Sequence, residues 1–282
     1  FTDKNTIIVN DTSIAADIFI IATGSKPKTL PNLNADHSKI VYAKDIFQMN
    51  SIPKSMTIIG AGAIGVEFAY FFNSFGTNVT LIEAEENILP HEDKEVSQWV
   101  EKVFKKKKIN VLTGTLADKI DDEKILVSVG VEGNSEGMGL EEIGIKFSSN
   151  KHIAVDSNGK TNIDNIYAVG DVIGAPWLAH VSAAEGLYVA EHMCGLNPKE
   201  IDYNSVPACT YSKPEVASIG ATEEQLMDSS IDFKVAKSFF IANGKAVAVG
   251  ATDGFIKILV GKEGHILGAH IVGSNATEMI SE

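Results

Sequence analysis

Gly60-Ala61-Gly62-Ala63-Ile64-Gly65 follows a short apolar run beginning at Ser55 and opens a second, longer one. In that setting the first glycine permits a tight turn, the second lets the backbone approach a pyrophosphate, and the third lets helix and strand pack closely. The N–H groups at the helix start then face the phosphates, where the helix dipole favours negative charge. Glu83 ends the next apolar strand, 23 positions after Gly60. A carboxylate there accepts hydrogen bonds from the adenosine ribose hydroxyls. A 2′-phosphate would meet Glu83, Glu85 and Glu86 with no Arg or Lys beside them, so the pattern selects NAD over NADP.

The elements that must position these residues are legible around them. Ser55 to Gly60 reads as a strand, the run after Gly62 as a helix ending near Gly76, and Asn78 to Glu83 as a second strand. From Asp93 to Lys108, apolar Val96, Trp99, Val100, Val103 and Phe104 recur at helical spacing, and Ile109 to Leu112 follows as a strand. Strand, helix, strand, helix, strand is a parallel-sheet unit. Apolar runs that end in glycine lie on either side of it: DIFIIATG at 17–24, ILVSVG at 125–130 and IYAVGD at 166–171. Their positions predict that the nucleotide-binding unit is inserted into another α/β domain. From Tyr203 the texture changes to alternating strands, Phe255 to Val260 and Ile266 to Val272 among them, with a helical Thr222 to Met227. That reads as a separate antiparallel α+β domain.

Composition narrows the function. A net charge of −13 argues against a nucleic-acid backbone as partner, since binding phosphates takes a surplus of Lys and Arg on one face. The basic run Lys105 to Lys108 reads as a solvated helix end. Val66 to Phe72 is broken by Glu67 and too short to cross a bilayer, and Phe1 opens no basic-then-apolar leader, so no membrane or export signal is expected. Cys194 and Cys209, 15 positions apart, read as ordinary packing residues rather than a redox pair or a metal site. Two cysteines in 282 residues suit a reducing compartment, the cytoplasm or, in a eukaryote, an organelle matrix.

Taken together, these segments resemble the two-dinucleotide flavoprotein disulfide reductases over nearly the whole chain. ATGSKP at 22–27 is similar to the family's strand end beside FAD and implies flavin contact through Thr23, Gly24 and Ser25. GAGAIGVEFA at 60–69 resembles the family's NAD motif, which implies a pocket of Gly60, Ala61, Gly62, Ala63, Ile64 and Gly65 completed by Glu83 and Gly130, with Glu67 near the nicotinamide end. TNIDNIYAVGD at 161–171 resembles the second FAD motif and implies that Asp171 accepts from the ribityl chain. WLAHVSAAEG at 177–186 resembles the segment whose backbone N–H groups, from Trp177, Leu178, Ala179 and His180, approach the flavin ring; His180 is read as a contact and not a catalyst. VPACTYSKPEVASIGATEEQ at 206–225 resembles the opening of the family's dimerisation domain and implies a homodimer.

The chain also departs from the family pattern. The family's N-terminal glycine motif and C-x-x-x-x-C redox pair do not precede Phe1, and its catalytic His-Glu pair would lie beyond Glu282, so no catalytic residue is assigned within this segment. About ten residues separate Thr113 from Ile125 where the family usually places a three-stranded excursion, which predicts a shortened stretch around Thr115 to Glu123. Val131-Glu132-Gly133 stands where many relatives carry an arginine after Gly130.

The expectation is an α/β protein in which a Rossmann-like NAD domain (49–124) is inserted in a partial FAD domain (1–48 and 125–202) and followed by a partial α+β dimerisation domain (203–282). The resemblance implies electron transfer from a dithiol through a redox disulfide and FAD to NAD. It runs closest to the branch that oxidises dihydrolipoamide, whose partner is the lipoyl domain of an acyltransferase in a 2-oxoacid dehydrogenase or glycine cleavage complex. A sister reductase acting on another disulfide, a metal ion or a second nicotinamide shares these motifs, and a non-catalytic NAD-binding fragment is the other alternative. No metal is assigned.

Overall fold

The computed structural model describes every residue except Asn32, Asn34, Asp118, Lys119 and Asp121, so the stretch expected to be shortened, 115–123, falls partly outside the described residues. A hairpin of β1 (Thr6–Val9) and β2 (Thr12–Ala15) comes first, then β3 (Phe19–Ile21) and β4 (Ser25–Pro27). Next are β5 (Ile40–Val41), α1 (Ala43–Ile46), β6 (Ser55–Ile59), α2 (Ala63–Ser74), β7 (Asn78–Ile82), α3 (Lys94–Lys106), β8 (Asn110–Leu112) and β9 (Lys124–Val127). β10 (Val131–Gly133), β11 (Ile166–Ala168) and α4 (Ala179–Met193) follow. The last part holds β12 (Ala208–Thr210), β13 (Glu215–Gly220), α5 (Glu223–Asp228), β14 (Phe233–Phe239), α6 (Gly244–Val249), β15 (Gly254–Gly261), β16 (Ile266–Gly273) and α7 (Ala276–Met279).

The chain forms two compact units, Phe1–Lys28 with Val131–Tyr203 and Thr29–Gly130 with Asn204–Glu282. In the first, β3 and β11 pair in parallel, Phe19 with Ile166 through Ile21 with Ala168, so the apolar runs at 17–24 and 166–171 lie side by side. β4 pairs antiparallel with β10. Ile21, Leu140, Ile145, Ile153, Ile166, Ala168 and Val172 make this unit's core.

The second unit contains an all-parallel sheet in the order β5-β9-β6-β7-β8 and an antiparallel sheet in the order β12-β13-β16-β15-β14. Met56, Thr57, Ile58 and Ile59 of β6 are all buried, as a strand covered on both faces must be. Such a strand also needs a hydrogen-bonding partner along each edge. β7 supplies one edge, and β9 supplies the other through Thr57 with Ile125 and Ile59 with Val127. The run at 125–130, expected to flank the inserted unit, is therefore a strand of the same sheet as the glycine turn. Its apolar run matches that of β3, and only the pairing tells the two apart.

α3 packs its buried face, Val96, Val100 and Phe104, in one continuous core with Met56, Ile58 and Leu81 of the parallel sheet and Val216, Phe255 and Val272 of the antiparallel one. Asp93 caps the helix, its carboxylate accepting the Glu95 N–H at 3.1 Å. Thr222 and Gln225 cap α5 reciprocally, satisfying two backbone donors that the helix start leaves open. Among the described residues, no helix is long and apolar enough to cross a membrane.

Candidate functional site

The glycine turn is held from three sides. Its first amide, Gly60 N–H, donates to Ile82 O at 2.8 Å and so ties the turn to the end of β7. Gly60 has a φ of 94°, and a Cβ there would run into the backbone carbonyl of Ser128. A Cβ on Gly65 would strike the carbonyl of Gly60 itself, so both positions require glycine. At Gly62 the opposite holds: no atom lies within 4 Å of where a side chain would begin, which leaves this stretch of backbone open to a ligand. Gly62 caps α2 without a side-chain bond, and no acidic residue occupies the first turn. The N–H groups of Ala63, Ile64 and Gly65 thus have no partners within the helix. Ala63 and Ile64 are exposed, whereas Ala61 and Gly65 are buried.

Glu83 has 9% of its surface exposed, and both of its carboxylate oxygens are engaged. Oε2 accepts the Ala61 N–H at 2.6 Å and Oε1 accepts the Glu85 N–H at 3.0 Å. Glu83 therefore grips the glycine turn from the neighbouring strand, a role the sequence pattern did not reveal. Ser128 is a second residue missed by sequence reasoning. Its Oγ lies 2.9 Å from the carbonyls of both Ile59 and Gly60, fastening the turn to β9, and Gly130 stands two residues further along that strand end. Nothing in the spacing of Ser128 marks it; only the pairing of β9 with β6 brings it there.

Glu67 lies one turn along α2, half-buried, and accepts the Tyr211 N–H at 2.8 Å. Burial raises the pKa of its carboxyl, against the lowering effect of the Tyr211 amide. Beside it an apolar groove of about 530 Å³ runs along α1 and α2, lined by Phe47, Phe68, Phe71 and Tyr211 among others.

The residues assigned to FAD lie in the first unit. Ser25 Oγ donates to Asp171 Oδ2 at 2.9 Å, joining two predicted contacts that stand 146 positions apart in the chain. Asn134, which sequence reasoning missed, holds the other two: Thr23 Oγ1 donates to Asn134 O at 2.8 Å, and the Asn134 N–H donates to Gly24 O at 2.9 Å. Asp171 sits in a 3-10 turn, Gly170–Ile173, directly after β11. Leu178 caps α4 without a side-chain bond, so the N–H groups of Ala179 and His180 are left without helical partners. Ala179 and His180 are exposed, Leu178 is half-buried, and the exposed Trp177 ring packs 6.1 Å from that of His152. Cys194 lies at the end of α4 and Cys209 in β12, and both are free thiols.

Comparison with known proteins bears on both sites. The family model described as pyridine nucleotide-disulphide oxidoreductase matches residues 1–186, and that family's dimerisation domain matches residues 206–282. The dihydrolipoyl dehydrogenase of Bacillus subtilis is 41% identical over 97% of this chain, and that of Zymomonas mobilis is 41% identical over 94%. The chain spans 62% of the length of each. The crystal structure of LpdA from Mycobacterium tuberculosis superposes with a TM-score of 0.88 at 25% identity, covering 96% of this chain and 63% of that one. The HOCl-induced flavoprotein disulfide reductase RclA from Escherichia coli shares the fold, with a TM-score of 0.90 at 24% identity over 100% of this chain and 69% of that one.

Proposed function

The chain belongs to the pyridine nucleotide-disulphide oxidoreductase family, and from that premise we propose that it is the part of a dihydrolipoyl dehydrogenase that supplies the NAD site and part of the FAD site. One observation carries the reading: an open Gly62 backbone at the start of α2, braced by a buried Glu83. Gly60, Ala61, Gly62, Ala63, Ile64 and Gly65 hold the pyrophosphate of NAD, Glu83 holds the adenosine ribose, Glu67 borders the nicotinamide end, and Gly130 completes the pocket. Thr23, Gly24 and Ser25 contact the flavin, Asp171 accepts from its ribityl chain, and the backbone at Trp177, Leu178, Ala179 and His180 meets the ring. Bound FAD and NAD carry the electrons, while the chain binds and orients them.

In its full length the protein oxidises dihydrolipoamide presented by the lipoyl domain of an acyltransferase, and does so as a homodimer. The match of 206–282 to a dimerisation domain supports the dimer, as do the exposed Ile241, Val247 and Val249 around α6. With β5 and β9 in the sheet of the glycine turn, the proposed layout is a FAD domain in two pieces, 1–28 and 131–202, around an NAD domain at 29–130, in place of the sequence-based 1–48, 125–202 and 49–124, with the dimerisation domain from 203. The cytoplasm or an organelle matrix is the compartment this chemistry fits.

The full-length protein is expected to purify with the visible absorption of flavin and to reduce NAD at least tenfold faster than NADP at equal concentration, about 1.4 kcal/mol of discrimination against the uncompensated phosphate. These 282 residues alone, with no C-x-x-x-x-C pair, are expected to show no dihydrolipoamide oxidation. A colourless full-length protein, or equal turnover with both nucleotides, would count against the reading.

A further inference from the structure

Glu185 is a buried carboxylate, 7% exposed on α4, that the proposed binding roles leave unused. Its two oxygens have separate partners. Oε2 accepts the Gly170 N–H at 2.7 Å and Oε1 accepts the Tyr203 hydroxyl at 2.8 Å. Burying a carboxylate is a costly way to pack a helix, because an apolar side chain fills the same space without desolvating a charge. The backbone donor it grips belongs to the residue immediately before Asp171, at the head of the 3-10 turn that carries it. We propose that Glu185 is a positioning residue for the flavin site: by holding the Gly170 N–H it sets the turn from which Asp171 meets the ribityl hydroxyls. The inference rests on the assignment of Asp171 to FAD made above.

The rest of the arrangement is consistent with that role. A charge-assisted hydrogen bond is shorter and stronger than a neutral one and fixes a direction as well as a distance. Asp171 is anchored on its other side by the Ser25 hydroxyl, so its carboxylate is set from two directions. Tyr203 keeps Glu185 in place. Partial burial, then the hydrogen bond to Glu185 and the charge of that carboxylate, push the hydroxyl of the part-exposed Tyr203 up to about 12, so it stays protonated and donates to Oε1 throughout the neutral range, leaving Oε2 directed at Gly170.

The test uses the full-length protein, stripped of flavin and titrated with FAD, with folding followed by circular dichroism. Glu185→Gln keeps an acceptor at the same reach and is expected to bind FAD within about threefold of wild type. Glu185→Asp keeps the charge but withdraws the oxygens by about 1.5 Å, one carbon–carbon bond. It is expected to bind FAD about tenfold more weakly, with a changed visible flavin spectrum. Gln above Asp is the order that gripping by reach requires and that a need for charge alone would reverse. An Asp variant that binds FAD like wild type, or a Gln variant that loses as much as Asp, overturns the proposal. Should the Asp variant fail to fold, Tyr203→Phe decides: about a threefold loss of FAD affinity is expected, and wild-type affinity overturns it. A wild-type protein that takes up no FAD overturns the flavin reading itself and this inference with it. A wild type that binds FAD beside an Asp variant that binds it equally well overturns the inference alone.

Discussion

In the proposed NAD site, Glu83 is the side chain on which both shape and selectivity turn. Each carboxylate oxygen carries two acceptor positions, so the Ala61 and Glu85 amides leave capacity for ribose hydroxyls. The group proposed to accept from the sugar thus also holds the turn proposed to carry the pyrophosphate. Glu83→Ala is expected to weaken NAD binding by roughly 1.5–3 kcal/mol, the range of a hydrogen bond to a charged group. It should also lower thermal stability, because the Ala61 N–H, in a fully buried residue, loses its partner. Calorimetric titration with NAD together with a melting curve separates the two effects. Unchanged NAD affinity would remove Glu83 from the ribose site and leave it only the brace.

Among the elements, those that build the glycine turn could be read from the sequence, because period and punctuation are local properties. β6, α2, β7 and α3 follow directly from apolar spacing and from the glycines at 60, 62, 65 and 76. Pairing is not local. The apolar runs at 17–24, 125–130 and 166–171 look alike, and only the need of a fully buried β6 for partners on both edges assigns the second of them to its sheet. For the same reason Ser128 and Asn134 carried no visible signal, since each bonds backbone far away in the chain, and Glu185 acts on a backbone group 15 positions before it. Lys257 is the extreme case. On β15 it shares a strand face with Phe255 and Leu259 and is fully buried, with its Nζ 2.9 and 2.8 Å from the two oxygens of Asp93 and paired also with Glu95 and Glu223. Burial alone would lower the pKa of Lys257, but the hydrogen bonds it donates to Asp93 and Glu223 hold it above the ordinary lysine range. Lys257→Met removes the cation and leaves the buried Asp93 cap of α3 without it, so a loss of roughly 3–5 kcal/mol is expected in urea unfolding. A loss below about 1 kcal/mol would mean that the network is no stronger than an exposed pair.

On the scale of the whole molecule, each unit is built around its own interior, and in the second unit a single core runs from the parallel sheet through α3 into the antiparallel one. Nucleotide-binding and dimerisation parts of that unit therefore share their stability, and Glu92 stands where they meet. Its Oε1 accepts from Ser218 Oγ of β13 at 3.1 Å, while Oε2 is enclosed without a hydrogen-bond partner. Burial, with the neighbouring charge of Asp93 adding to it and the Ser218 hydroxyl opposing it, pushes the Glu92 carboxyl up to about 7. The other titratable group coupled to it is the Cys209 thiol, raised chiefly by its own burial. A carboxyl that holds its proton more tightly when folded makes stability fall as pH rises, since the unfolded chain releases the proton first. The curve should be flat below the ordinary value of 4.5, fall between 4.5 and about 7, and flatten again above that, with a total loss of roughly 3–3.5 kcal/mol. Glu92→Gln cannot release a proton, so its stability relative to wild type should rise by about 2.5 kcal/mol between pH 5 and pH 8, whatever its offset at pH 5. Urea unfolding of the two proteins across this range measures the difference directly. Parallel curves would mean that Glu92 ionises in the folded protein as readily as in water, and that no proton is held where the two parts of the unit join.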